Sequence, residues 1–350
     1  MVAIPMYIDA PLRDLPLGDV ADEARRLEAM GFSALWSFET SRDPFLPLLQ
    51  VALATENIQL GTNIAVAFAR TPFSMAMTAW DLQRASRGRL LLGLGTQVRA
   101  HVERRFSAAF DHPAARVTDY IRVLRAIWES FQTGARPDYD GPFYRFKLMN
   151  QMFTGGPIDH PRIPVFLAGV NPRMAQAAGE VADGFSVHPM HSPAYLREVV
   201  RPAIDEGART RGKTVEDVAL VCDCFIVQGD TENERSHAEE NVRRQIALYA
   251  STPSYRGFLE FHGHLETGKR LSALMREGRF KEMPALISDA LLSAVAVSQA
   301  DGDLADQLRD RYTGGLVQRV LFYDPVPADA DEERVRAFVT RARGEAHQGD

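Results

Sequence analysis

The stretch IQLGTNIAVAFARTPFSMAMTAWDLQRASRGRLLLGLGTQ, residues 58–97, reads as one complete strand, crossover helix and strand. Its first apolar run, 59–66, is built of small and β-branched residues, and its second, 89–94, is almost wholly apolar. Strands buried on both faces of a parallel sheet have that composition. Between them Thr71-Pro72 places a capping hydroxyl before a ring whose φ already suits a first helical turn. Two strands joined through a helix are parallel neighbours.

The same unit recurs on either side. Apolar runs at 3–9 and 34–38 precede it, and runs at 163–167, 184–188, 219–227 and 318–323 follow, which makes eight strands. Val20, Ala24, Leu27 and Met30 recur at helical spacing before Gly31, a C-terminal stop. Asp43-Pro44, Asn171-Pro172 and Ser192-Pro193 repeat the start seen at Thr71-Pro72. Eight such units predict a (β/α)₈ barrel, whose functional groups gather at the C-terminal ends of the strands. Two segments interrupt the rhythm. After strand four and a helix over 114–131, residues 138–161 have the Asp-Gly turn and aromatic content of a hairpin and loop; after strand seven, 232–312 is mostly helical. Neither holds enough apolar sequence for a core of its own, so both are expected to be insertions in a single barrel domain over 1–343, followed by a polar tail at 344–350.

Composition narrows the function. A net charge of -6 and no basic stripe disfavour a nucleic-acid partner, and a small molecule is expected instead. No apolar run approaches the roughly 18 residues of a membrane span, and 1–12 lacks the pattern of a secretory signal, so the expectation is cytoplasmic. Cys222 and Cys224 share one face of a strand, read as buried reduced thiols.

Four blocks, FSALWSFETSRDPFLPL, the 58–97 stretch, RF…HPAARVTDYIRVLRAIW and IPVFLAGVNPRMAQAAGEVADGFSVHP, together resemble the luciferase-like flavin and deazaflavin oxidoreductases, closest to the actinobacterial group that uses the deazaflavin coenzyme F420. They cover most of residues 1–190; beyond about 230 the likeness is weak. The resemblance implies a luciferase-like barrel, an F420 cofactor with FMN as the alternative, hydride transfer to or from a small organic substrate, and a homodimer, to which the apolar faces of the second and third helices also point. An FMN-dependent monooxygenase is the rival of the same class. A non-catalytic flavin-binding barrel, and an isomerase or lyase acting on a phosphorylated substrate, are the rivals of other classes.

The candidate site follows from these blocks. Asn63, Ile64, Ala65 and Val66 offer an apolar wall for a flat ring, and the resemblance implies a cis Asn63-Ile64 bond there. Gly93 and Gly95 end strand four, where absent side chains let a planar ligand approach; by resemblance Thr96, Gln97 and His101 then offer hydrogen bonds. Ala168, Gly169, Val170 and Asn171 run into a capped helix start, whose free N–H groups suit the cofactor's phosphate, although every helix start has such donors. Glu39 and Asp9 are expected at the mouth as acids near the ring. Glu39 also reads as a loop acid paired with Arg42 or Arg70. Relatives that use the deazaflavin often carry an acidic residue then histidine after strand two; here the pair is Glu39-Thr40. That departure leaves the acid's role to another group, with His101, His188 and His191 as candidates. Arg70, His188 and His191 are candidate substrate contacts, and Arg70 and Arg99 read either as anion partners or as paired loop cations. The histidine spacings match no metal site.

Overall fold

The computed structural model describes residues 6–344. Eight parallel strands, β1 (Tyr7–Pro11), β2 (Ala34–Ser37), β3 (Gln59–Thr62), β4 (Leu90–Gly95), β5 (Val165–Gly169), β6 (Gly184–Val187), β7 (Ala219–Val227) and β8 (Arg319–Phe322), pair in chain order. β8 pairs with β1, so the sheet closes as a (β/α)₈ barrel. The main covering helices are α1 (Val20–Ala29), α2 (Phe45–Ala54), α3 (Pro72–Ala85), α4 (Pro113–Thr133), α5 (Pro172–Val181), α6 (Arg201–Arg209), α7 (Glu232–Ala250) and α8 (Glu332–Arg343). The expected start of strand one at residues 3–5 and the tail beyond Gly344 lie outside the described residues.

The expected helix starts form for the expected reason. Thr71 accepts the N–H of Ser74, Asn171 that of Met174 and Ser192 that of Tyr195. At the fourth, Asp43 takes the N–H of Phe45 from just outside the helix. Both interruptions fall where the sequence placed them. Tyr139–Asp140 and Arg145–Phe146 form an antiparallel hairpin, and the helices after β7 include Leu265–Arg276, Asp289–Val295 and Leu304–Arg311.

Alternation along the strands separates two cores. Side chains pointing out, such as Ile8, Leu60, Cys222 and Cys224, pack under the helices in one large cluster. Side chains pointing in, Ala34, Trp36, Leu91, Phe166, Val221 and Leu321, fill the barrel, with Trp36 and Phe166 edge to face at 5.8 Å. Each fully buried aliphatic side chain contributes about 2 kcal/mol, so this packed interior closes the barrel as a solid plug and leaves ligands only its mouth.

Strand three is the one regular element expected to run unbroken that does not. It stops at Thr62, the Asn63-Ile64 peptide is cis, and Ala65–Val66 resumes beside Leu94 and Gly95 of β4. Asp9 also departs from expectation. β1 continues to Pro11, so Asp9 is inside the strand and not at its end. Its buried carboxylate accepts the Trp36 Nε1–H at 2.8 Å and pairs with Arg319 through two bonds of 2.7 and 2.8 Å. Arg319 opens β8 at the opposite end of the barrel from the mouth and also reaches Gln59. Asp9 therefore neutralises a buried cation.

Candidate functional site at the barrel mouth

A cleft of about 520 Å³ opens at the C-terminal ends of the strands. Its wall includes Ser37 at the end of β2, Thr40 in the loop that follows, Asn63 at the break in β3, Gln97 after β4, His188 after β6 and Asp223 on β7. Tyr249 of α7 and Tyr323 just beyond β8 close one side, their hydroxyls 2.6 Å apart. Of the expected acid and base candidates, Thr40 and His188 line this cleft. Glu39 and His101 do not: His101 is exposed on the short helix Arg99–Arg104, and Glu39 is turned aside.

Glu39 lies almost fully covered beneath the broken strand. One carboxylate oxygen accepts the Val66 N–H at 2.7 Å, and both accept from Arg70 at 2.7 and 2.9 Å. Arg70 continues to Asp43 at 2.7 Å and stands over the Phe45 ring. Of the two readings of Glu39, the geometry realises the one in which it pairs with Arg70, with the addition that it anchors the strand carrying the wall. Arg70 is thereby occupied by two carboxylates. Arg99 pairs with Glu103.

The segment expected to form the wall packs against the end of β4. Ala65 and Val66 are buried against the end of β4, and a Cβ on Gly95 would sit 2.7 Å from Ile64 Cγ1. Gly93 is tighter still, since a Cβ there would meet the Thr62 carbonyl at 1.7 Å. Thr96 is buried, and Gln97 takes a positive φ of 55° at the cleft edge. Ala168 and Gly169 belong to the end of β5, and Gly169, Val170 and Asn171 line a small pocket of about 20 Å³ whose far side is His188 and His191. Asn171 spends its side-chain oxygen on the Met174 N–H, the cap of α5.

His188 and His191 differ. His188 borders the cleft with Tyr249 and Tyr255 packed on its ring, whereas His191 is buried, away from the cleft. His191 Nδ1 lies 3.0 Å from the His188 carbonyl and Nε2 2.8 Å from the Tyr312 hydroxyl. A carbonyl only accepts, so Nδ1 carries the proton and Nε2 takes the Tyr312 O–H. Burial, reinforced for His188 by His191 and for His191 by Arg311, pushes both rings down to about 3. Both are neutral at ordinary pH.

The functional group that sequence reasoning missed is Asp223. On β7 it alternates with Cys222 and Cys224, so while the thiols point outward the carboxyl points into the barrel, one step above Val221. Its oxygens accept the Asn63 amide at 2.9 and 3.2 Å, and Asn63 Oδ1 accepts the Ser186 hydroxyl at 2.6 Å. Burial raises the Asp223 carboxyl to about 8 even though the Asn63 amide works the other way. The signal was present: the shared face of the two thiols already fixed the opposite face for the residue between them.

The molecule is a (β/α)₈ barrel with its third strand broken beside a cleft at the mouth. Comparison with known proteins identifies its family. The sequence profile of the luciferase-like monooxygenases matches residues 4–319, and the chain belongs to that family. It is 43% identical over 321 residues to an uncharacterised protein of Mycobacterium tuberculosis, covering 92% of this chain and 93% of that one. A second M. tuberculosis protein, named as a candidate coenzyme F420-dependent oxidoreductase, is 30% identical over 78% of this chain and 82% of its own length. Among solved structures, the coenzyme F420-dependent tetrahydromethanopterin reductase of Methanopyrus kandleri superposes with a TM-score of 0.74 over 97% of each chain at 19% identity, a likeness of fold.

Proposed function

We propose that the protein is a coenzyme F420-dependent oxidoreductase, one barrel domain over residues 1–343, that transfers a hydride between the deazaflavin and a small organic substrate. The observation that carries this reading is the cleft of about 520 Å³ at the strand ends, bordered by Asn63 and Gln97, the residues that flank the packed segment of Ile64, Ala65, Val66 and Gly95. That volume lies within the range of small-molecule and cofactor sites. The 30% identical relative supports the same cofactor.

The residues present fit a planar ring with a phosphate-bearing tail. Gly95 keeps the wall flat, Thr96 and Gln97 stand at its edge, and Gly169, Val170 and Asn171 lead into the N-terminus of α5, which favours an anion. When bound, the deazaflavin supplies two-electron hydride chemistry. Glu39 and Arg70 hold the wall in place through the Val66 N–H, and Asn63 joins the wall to the acid on β7. Titration of the purified protein with oxidised deazaflavin is expected to quench its fluorescence. Absence of binding at micromolar concentrations overturns the reading. Oxygen consumption with reduced FMN would instead favour an FMN-dependent monooxygenase, since a deazaflavin lacks N5 and reacts poorly with oxygen.

Leu46, Leu49 and Leu53 on α2 and Met77 on α3 are exposed, and they support the expected homodimer, checked by sedimentation. Among the described residues no helix is long and apolar enough to cross a membrane.

A further inference from the structure

We propose that Asp223 is a catalytic acid and base acting on the oxygen of an uncharged carbonyl or carbinol substrate held in the mouth cleft. The proposal rests on the deazaflavin reading above, and adds to it the proton donor and the substrate class.

Geometry places the carboxyl where such a group is needed. Asp223 lines the cleft, and its partner Asn63 is the residue at which β3 breaks to form the ring wall. The Ser186 hydroxyl takes one end of the Asn63 amide, which turns the NH₂ end onto the carboxyl and fixes its orientation. Among the described residues no Lys, Arg or His makes an ion pair with Asp223.

The surroundings settle the charge of the substrate. Arg13 in the cleft lining is held bidentately by Glu23 at 2.7 and 2.9 Å, and Arg42 is paired with Asp14. The titratable groups near Asp223 are Tyr249 on α7, Tyr323 and Asp324 beyond β8, and His188 beyond β6, while the flanking thiols of its own strand point to the opposite face. Burial holds the phenols and thiols up and the imidazole down, so these are neutral, and burial also raises the Asp324 carboxyl. Among the described residues that line the cleft, both cations are already paired and neither is free to receive a carboxylate or phosphate substrate. Asp223 itself, raised to about 8, is mostly protonated at neutral pH and offers a cation no full counter-charge. An uncharged oxygen is the group this site is built to meet.

The step balances. In reduction, the C=O π bond breaks, the substrate carbon accepts a hydride from reduced deazaflavin, and the substrate oxygen takes the Asp223 proton. The carbonyl compound is reduced to a carbinol and the deazaflavin is oxidised. The carboxylate then regains a proton from water in the cleft. In the reverse direction the carboxylate removes the carbinol proton.

The test uses the full chain and its Asp223→Asn variant, which keeps size and shape. Both are titrated with deazaflavin by fluorescence, then assayed with acetone, cyclohexanone and cyclohexanol, with pyruvate and benzylamine as charged controls. Deazaflavin affinity is expected to agree within about threefold, while turnover of the neutral compounds falls roughly 100-fold in the variant. Ketone reduction by the wild type should decline as pH rises through about 8, and carbinol oxidation should rise there. Both limbs should vanish in the variant. A cofactor-free readout is the thermal midpoint. A carboxyl raised in the folded state binds more protons there than when unfolded, so the wild type should lose stability between pH 5 and pH 9 relative to Asp223→Asn. Equal turnover and unchanged pH limbs in the variant, or activity confined to pyruvate or benzylamine, overturn the proposal. Failure of the wild type to bind deazaflavin overturns the cofactor reading itself, and this one falls with it.

Discussion

Asn63 and Asp223 meet across the barrel mouth at 2.9 Å although 160 residues separate them. Asn63 sits at the break in the strand proposed as the ring wall and Asp223 on β7, so the Asn63 amide, donating at 2.9 and 3.2 Å, ties that strand to the acid. The direction of donation also matters. The amide donates to the carboxyl, which favours the ionised form and opposes the effect of burial. Asn63→Ala should therefore move the pH limb assigned to Asp223 upward from about 8, the opposite of simple loss. A pH–rate profile checks it. A limb that stays in place would show that Asn63 does not tune the carboxyl.

Asp9 was expected beside the ring, but it neutralises Arg319 inside the barrel. Removing its charge leaves a guanidinium with few routes to water, and breaking one partner of such a buried pair costs about 3 to 5 kcal/mol. Asp9→Asn should accordingly lower the urea midpoint sharply, while the surviving folded protein binds deazaflavin with unchanged affinity. A selective loss of affinity with stability intact would return Asp9 to the cofactor site.

Glu39 makes a contrasting prediction. Gln at this position can still accept the Val66 N–H but loses the ionic bonds to Arg70, which keeps Asp43. A hydrogen bond to a charged group contributes about 2 kcal/mol, so the stability loss should be smaller than for Asp9→Asn. Because the strand it anchors is the proposed wall, deazaflavin affinity should fall by roughly tenfold, about 1.4 kcal/mol. Fluorescence titration and urea melts on one preparation separate the two effects.

These residues also show where the sequence was readable. The eight strands, the caps at Thr71, Asn171 and Ser192 and the hairpin at 139–146 are set by neighbours a few positions apart, and each was recoverable from local pattern. The break at Asn63-Ile64 came from resemblance to a family, not from periodicity, which predicts one unbroken strand. What stayed hidden depends on barrel closure. Asp9 and Arg319 lie 310 residues apart, and only the pairing of β8 with β1 brings them together. Glu39 and Arg70, 31 apart, were legible as one of two readings, because adjacent loops of neighbouring strands are near each other in any such barrel. Asp223 was reachable from strand alternation alone, but its partner was not.

His191 provides a test of the electrostatics beneath the mouth. Its ring is held neutral between the His188 carbonyl and the Tyr312 hydroxyl, and burial depresses it from 6.5 to about 3. Below pH 6.5 the unfolded chain binds a proton that the folded ring refuses, so stability present at pH 7 is lost progressively as pH falls toward 3. Between pH 7 and pH 5 the loss from this ring is about 2 kcal/mol, and His188, depressed in the same direction, adds to it. His191→Asn removes the titrating group while retaining a side chain that can donate and accept. The variant should be less stable than the wild type at pH 7, where a fitted ring is lost, and its urea midpoint should change less between pH 7 and pH 5. Parallel decline of the two proteins over that interval would show that the acid sensitivity arises elsewhere in the chain.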